Sequence, residues 1–255
     1  MMIPTMRFVV CESRGVDKPN SLAFKDTIPK FLMYFAKLRD IGMNFDMPIK
    51  IGGMEWRAHK ILLAYRIPYF HSLLNPNWDE SSSGVINLSS EFNPSILKSL
   101  IDYAYNGQLT INESNAQDMM MTANYLIMER VVEVCADFLI KRIRFDDALP
   151  LLFFFNSLNF TKVDPLLSFI DMNFVPCSNT LEYIELSIDY LLNILQRDSL
   201  RIDSEDQVFN AVTRWIGHNT ERMQHGMRLL KCIRLNRISS LFITTIEKTE
   251  WIKGQ

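Results

Sequence analysis

The sequence predicts an α+β fold that is mostly helical, with a small sheet among helices in the first half and an all-helical second half. Three observations carry this. Sheet signals concentrate between Ile49 and Leu88, where apolar and polar residues alternate around a Gly52-Gly53 pair. From Phe92 onward, apolar residues recur at helical spacing. The 255 residues are 48% hydrophobic and 22% charged, which is globular and enough for two ordinary cores.

The elements follow in order. Arg7 to Cys11 reads as a short strand, and Arg14 to Asn20 as loop around Gly15 and Pro19. A helix starts near Thr27-Ile28-Pro29, and Phe31, Leu32, Phe35 and Leu38 form its apolar face. Gly42 ends it. Ile49 and Ile51 flank Lys50 in a strand, and Gly52-Gly53 turns it into a second strand, Glu55 to Ala58. Pro48 cannot donate to a ladder, so it belongs at a strand start or edge. Lys60 to Ala64 and Pro68 to Leu74 read as short helices, and Val85 to Leu88 as a third strand.

Asn93-Pro94 is a capped helix start, and Ile96, Leu97, Leu100, Ile101 and Ala104 are the buried face before Gly107 stops the helix. Ser114 and Gln117 have the spacing of a capping box ahead of Met119, Met120, Ala123 and Ile127. Val131, Val132, Cys135, Phe138 and Leu139 mark the next helix. Ser204 and Gln207 form a second box before Val208, Phe209, Val212, Trp215 and Ile216. Basic residues at Lys141, Arg142 and Arg144 meet Asp146-Asp147, which reads as an exposed junction between domains.

Composition excludes several function classes. A net charge of -2 and a pI of 6.1 argue against a basic nucleic-acid binder. No run approaches the roughly 20 apolar residues of a membrane helix, and Met1 to Cys11 lacks signal-peptide features, so an intracellular protein is expected. The cytoplasm is the expected compartment, with the nucleus open to it. Cys11, Cys135, Cys177 and Cys232 are far apart, and no histidine lies near them at metal-ligand spacing. No metal or cofactor is expected. Enzyme motifs are also missing: there is no G-x-S-x-G, H-E-x-x-H, phosphate loop or G-x-G-x-x-G. His59 has only Ser72 and Glu55 nearby, which form no triad, so it reads as a structural hydrogen-bonding residue. The basic run Arg228, Lys231, Arg234 and Arg237 lacks interleaved aromatics and reads as a solvated helix face.

A longer pattern carries the functional reading. Phe45 to Gly53, then Trp56 to Ala64, then Pro68-Tyr69-Phe70 resembles the opening of a BTB (POZ) domain. Leu100 to Gly107 is similar to that family's L-x-D-x-x-Y-x-G helix end, and Ala123 to Leu139 to its last helix pair. Asp198 to Leu200, Ser204 to Phe209, Arg214-Trp215-Ile216 and Leu229 to Leu235 resemble the later helices of a BACK domain. The organisation expected is a poorly readable extension at 1–25, a BTB domain over 26–143 and a BACK domain over 144–255.

The resemblance to Kelch-like proteins implies a non-catalytic adaptor, homodimeric or heterodimeric through its BTB domain, that recruits the cullin 3 scaffold of a ubiquitin ligase. The helix carrying Phe31, Leu32, Phe35 and Leu38 is similar to the one such domains exchange across a dimer, with Asp46 and His59 beside it. Trp78-Asp79-Glu80 occupies the place of the family's apolar-x-Glu cullin motif, and Tyr105 is carried over as a further contact. About twenty residues lie beyond Leu235, too few for Kelch blades of roughly 50 residues each. That leaves the protein substrate unnamed. It also raises an alternative, a regulatory dimeriser of full-length Kelch-like proteins that does not engage cullin. Neither nucleic acid nor a membrane is expected as a partner.

Overall fold

The computed structural model describes residues 21–27, 29–51, 53–73, 85–88, 92–239, 242–243, 246 and 249–253. The chain divides into two compact units, Met1–Arg142 and Ile143–Gln255.

The first unit opens with β1 (Ser21–Lys25) and α1 (Lys30–Asp40), where Gly42 takes a φ of 71° after the helix. β2 (Met47–Ile51) and β3 (Met54–Ala58) then pair antiparallel across Gly53, whose φ is 81°. A left-handed turn residue of this kind strongly favours glycine. Gly52 lies outside the described residues. α2 (Lys60–Arg66) and α3 (Pro68–Ser72) follow, and β4 (Ile86–Asn87) returns to pair parallel with β2. The sheet order is β3-β2-β4. Pro48 is therefore in the central strand, yet β4 reaches only Ile49 and Lys50, so Pro48 stays beyond the doubly paired stretch.

α4 (Pro94–Asn106) begins where the Asn93 side chain accepts the Ser95 N–H at 3.0 Å and ends at Gly107, φ 64°. Leu97 and Leu100 are fully buried on it, each contributing about 1.5–3 kcal/mol of hydrophobic stabilisation. β5 (Gln108–Asn112), α5 (Ala116–Tyr125) and α6 (Glu129–Ile140) complete the unit.

Two strands were not foreseen in the sequence. β1 pairs antiparallel with β5 over Ser21↔Asn112 to Lys25↔Gln108, in a separate two-stranded sheet. Only Leu22 and Phe24 mark β1 as a strand, and its partner is far along the chain. Arg7 to Cys11 lies outside the described residues.

Asp26 secures the exit of β1. Its N–H donates to the Gly107 carbonyl at 2.8 Å, and its carboxylate accepts from Tyr103 Oη, Arg66 and Arg130. Burial alone would raise this carboxyl; the Tyr103 hydrogen bond and the charges of Arg130 and Arg66 hold it below the usual range. Tyr103 is pushed up to about 12 by burial and by Asp26.

The second unit is helical in its described residues: α7 (Phe145–Ser157), α8 (Asp164–Met172), α9 (Phe174–Ser178), α10 (Leu181–Ile184), α11 (Ile188–Leu195), α12 (Glu205–Gly217), α13 (Gly226–Leu230) and α14 (Glu250–Lys253). Thr180 caps α10, accepting the Tyr183 N–H at 3.3 Å. Ser187 caps α11, accepting the Tyr190 N–H at 3.5 Å. Trp215, 2% exposed, donates its indole N–H to the Leu186 carbonyl at 2.9 Å. Asp171 is 3% exposed and holds the chain after α11. Arg197 forks onto it through Nε at 2.8 Å and Nη2 at 2.7 Å, Ser199 Oγ donates at 2.5 Å, and the Arg201 N–H donates to its carbonyl at 2.8 Å.

Both capping boxes are corrected. Before α5 the Asn112 carboxamide oxygen accepts the N–H groups of Ser114 and Asn115 and the Ser114 hydroxyl. This commits Ser114 upstream, and no side chain caps α5 at Asn115. Before α12 the Gln207 side chain accepts from the Asp203 N–H at 2.9 Å, one residue short of the expected partner, and Ser204 makes no cap bond.

Candidate protein-docking surfaces

α1 has two apolar sides. Leu32 (1% exposed) and Leu38 (8%) turn into the core of the same unit, so the sequence-based face of four residues is split. Arg39 bonds to Asp102 and lies 4.5 Å over the Tyr105 ring, fixing α1 on α4. The other side displays Phe31, Met33 and Tyr34, all more than half exposed. α2 adds Ile61 and Tyr65, also more than 60% exposed, and the Phe31 and Tyr65 rings meet edge to face at 5.8 Å. Five large apolar side chains thus stand exposed on these two helices, with Phe31 and Tyr65 in direct contact, and exposed apolar groups of this kind mark association surfaces. Met33 and Tyr34 were missed because they fall off the face that the helical period selects in α1; Ile61 and Tyr65 lie on a helix too short for a period to select a face.

The residues expected beside that helix take different places. Phe35 is half-buried against the His59 ring at 5.2 Å. Asp46 is exposed and its carboxylate accepts the Lys60 N–H at 2.7 Å, capping α2. His59 is 2% exposed. Its backbone N–H donates to Tyr105 Oη at 2.8 Å; because the Met43 carbonyl can only accept, the neutral ring is protonated on Nε2 and Nδ1 accepts the Tyr105 proton at 2.9 Å. Nε2 then carries the ring proton to the Met43 carbonyl at 3.0 Å. Tyr105, 2% exposed, is therefore an interior residue rather than a surface contact. Burial is the largest influence on its hydroxyl and raises it above the usual phenol range. The backbone N–H and both ring nitrogens of His59 are thus engaged, tying the start of α2 to α4 and to the α1–β2 loop.

A second face lies at α3. Tyr69 stacks near Tyr125 at 5.1 Å, their hydroxyls 3.3 Å apart, and Phe92 lies 4.6 Å from Tyr125. Tyr125 is 42% exposed and Ile127, two residues on, is 51% exposed. Ile127 has a φ of 60°. A β-branched residue in that left-handed region carries about 1–2 kcal/mol of strain, and strain of this kind clusters at functional sites. Trp78, Asp79 and Glu80 follow α3 in sequence and lie outside the described residues.

Among the described residues no three His, Cys, Asp or Glu side chains converge to hold a metal ion. Burial pushes the thiols of Cys135 and Cys177 up to about 12 and about 11, so both are inert core groups. No helix among the described residues is long and apolar enough to cross a membrane.

Residues 35–143 match the BTB/POZ domain, and residues 156–247 match the domain described as "BTB And C-terminal Kelch". The chain carries a BTB domain and a BACK domain. Over them its homologues are Kelch-like proteins. Human Kelch-like protein 17 is 29% identical over 210 residues, 82% of this chain and 33% of that protein. Kelch-like protein 40b of Danio rerio is 28% identical over 225 residues, 85% of this chain and 35% of that protein. The chain thus spans about a third of the length of these curated relatives. A solved BTB domain of zebrafish PATZ1 is 23% identical with a TM-score of 0.38, over 43% of this chain and 87% of that one. Both exposed apolar faces lie in the first unit, within or beside the residues matched by the BTB/POZ model.

Proposed function

We propose that the chain is a non-catalytic, dimeric adaptor that recruits the cullin 3 scaffold of a ubiquitin ligase for protein ubiquitination. The observation that carries the reading is the pair of separate apolar faces on the BTB unit. The α1–α2 face, with Phe31, Tyr34, Ile61 and Tyr65, suits an isologous contact with a second copy or a related BTB chain. The α3 face, with Tyr69, Phe92, Tyr125 and Ile127, would take the scaffold together with Trp78 and Glu80. Aromatic anchors in the centre of an interface supply most of its affinity.

The test is calorimetry of the purified chain with the cullin 3 N-terminal region, with light scattering for mass. The expected result is a dimer that binds, and about a thirtyfold loss with Tyr125→Ala or Glu80→Lys, equivalent to the roughly 2 kcal/mol of an interface hot spot. Tyr34→Glu with Ile61→Glu should give a folded monomer. A dimer with no cullin binding would replace this reading with the regulatory dimeriser. A monomeric wild-type protein would remove both readings.

A further inference from the structure

The second unit carries a groove that the adaptor reading does not use. Leu192, Leu195 and Gln196, at the C-terminal end of α11, line one wall. Arg228 of α13, with Lys231 and Cys232 just after it, lines the other, and Asp198 and Arg234 close one end. The volume is about 490 Å³. Leu192 and Leu195, 8% and 4% exposed, form its apolar part together with the half-buried Cys232, whose thiol burial raises above its usual value.

The cations of the groove are of two kinds. Arg234 is neutralised by Asp198 and by Glu205, the latter 3.2 Å from Nη1. Arg228 and Lys231 are exposed, one turn apart, and have no carboxylate partner among the described residues. The groove therefore sets two leucines beside two cations that have no carboxylate partner among the described residues, and the region stays positive after the one negative charge left by Arg234 with Asp198 and Glu205.

We propose that this groove docks an acidic, aliphatic segment of a partner protein. Its carboxylates would meet Arg228 and Lys231, and a leucine-type side chain would lie on Leu192 and Leu195. Charge complementarity selects this occupant. Two free cations are too few for a nucleic-acid binder, which typically neutralises about 6–10 phosphates. The leucine pair likewise favours a side chain over a phosphate. The groove lies wholly in the BACK unit, so the inference stands whether or not the BTB unit engages cullin.

The test uses the full chain and a phage-displayed library of short random peptides, counter-selected against the Arg228→Glu/Lys231→Glu chain. The expected winners combine Asp or Glu with Leu, Ile or Met. A synthetic consensus peptide, read by fluorescence polarisation, should bind the double variant at least about tenfold more weakly and lose affinity as salt rises from ~50 to ~200 mM. Lys98→Glu, on α4, should leave binding unchanged. Both groove substitutions are on exposed side chains, and an unchanged circular dichroism melt confirms that the variant is folded. No enrichment, enrichment of basic peptides, or equal binding by both forms would overturn the proposal. So would binding of a single-stranded oligonucleotide or an anionic vesicle that depends on the same two cations when no peptide does.

Discussion

Replacing Asp171 by Asn tests how the BACK unit is held together. The carboxylate is 3% exposed and accepts a two-pronged bond from Arg197 and one from Ser199. Removing one partner of a buried pair costs about 3–5 kcal/mol. The Arg197 side chain is 32% exposed, so water recovers part of its solvation, and the expected loss falls to about 2–3 kcal/mol. At roughly 4 °C per kcal/mol for a unit of this size, Asp171→Asn should lower the melting of the BACK unit by about 8–12 °C. Differential scanning calorimetry of the full chain reads this directly.

The same variant predicts a change of pH dependence. Burial would raise the Asp171 carboxyl, but the hydrogen bonds from Arg197 and Ser199 and the charge of Arg197 hold it below its ordinary value of 3.8. Folding therefore favours the ionised form. Its stabilisation is complete above about pH 4 and is lost as pH falls through the lower folded value. The Asn variant should lack this part of the acid limb. A melting shift under about 2 °C with an unchanged acid limb would refute the assignment of Asp171 as the clamp.

Three further outcomes are expected. Asp26→Asn, at a side chain only 14% exposed, should destabilise the BTB unit by about 1–3 kcal/mol, with faster amide exchange at Leu22 and Phe24 in a hydrogen-exchange experiment. Tyr105→Phe removes the acceptor of the His59 N–H and should cost about 1–3 kcal/mol in urea unfolding, while leaving cullin affinity within about twofold if dimerisation is intact. Ile127→Asn should raise the melting temperature, because Asn tolerates a φ of 60° better and relieves about 1 kcal/mol of strain. The same change should weaken cullin binding, since it deletes an apolar side chain 51% exposed beside Tyr125.

Local signals were readable wherever a residue's own chemistry decides its conformation. Asn93 caps α4, Gly107 ends it in the left-handed region, and Gly53 turns β2 into β3. The family pattern across Phe45 to Leu139 was legible for the same reason, because it is written in such residues. What was not legible depends on distant partners. β1 is a strand through its pairing with β5, and neither segment alternates strongly enough to announce it. Periodicity found Phe31, Leu32, Phe35 and Leu38 of α1 but neither Met33 and Tyr34 nor which of its sides meets the core; burial of Leu32 and Leu38 and Arg39 on Asp102 settle that. Tyr105 read as a contact from family position, whereas its hydroxyl is the group that His59 needs. Ser114 read as a cap, but Asn112 reaches the same donors first.

The fastening of β1 also sets a timetable. Asp26 takes a hydrogen bond from Tyr103, 77 residues downstream, and its last partner, Arg130, comes 104 residues after it. At roughly 5–20 residues per second, ribosomes need about 5–20 s to supply that final partner. Until β5 has been made β1 has no partner strand, and an unpaired strand accepts whichever edge it meets. On a message carrying several ribosomes, the leading chain presents a finished β5 while the trailing chain still holds a loose β1. The order of synthesis, and not only the final contacts, then helps decide which edge that strand meets first.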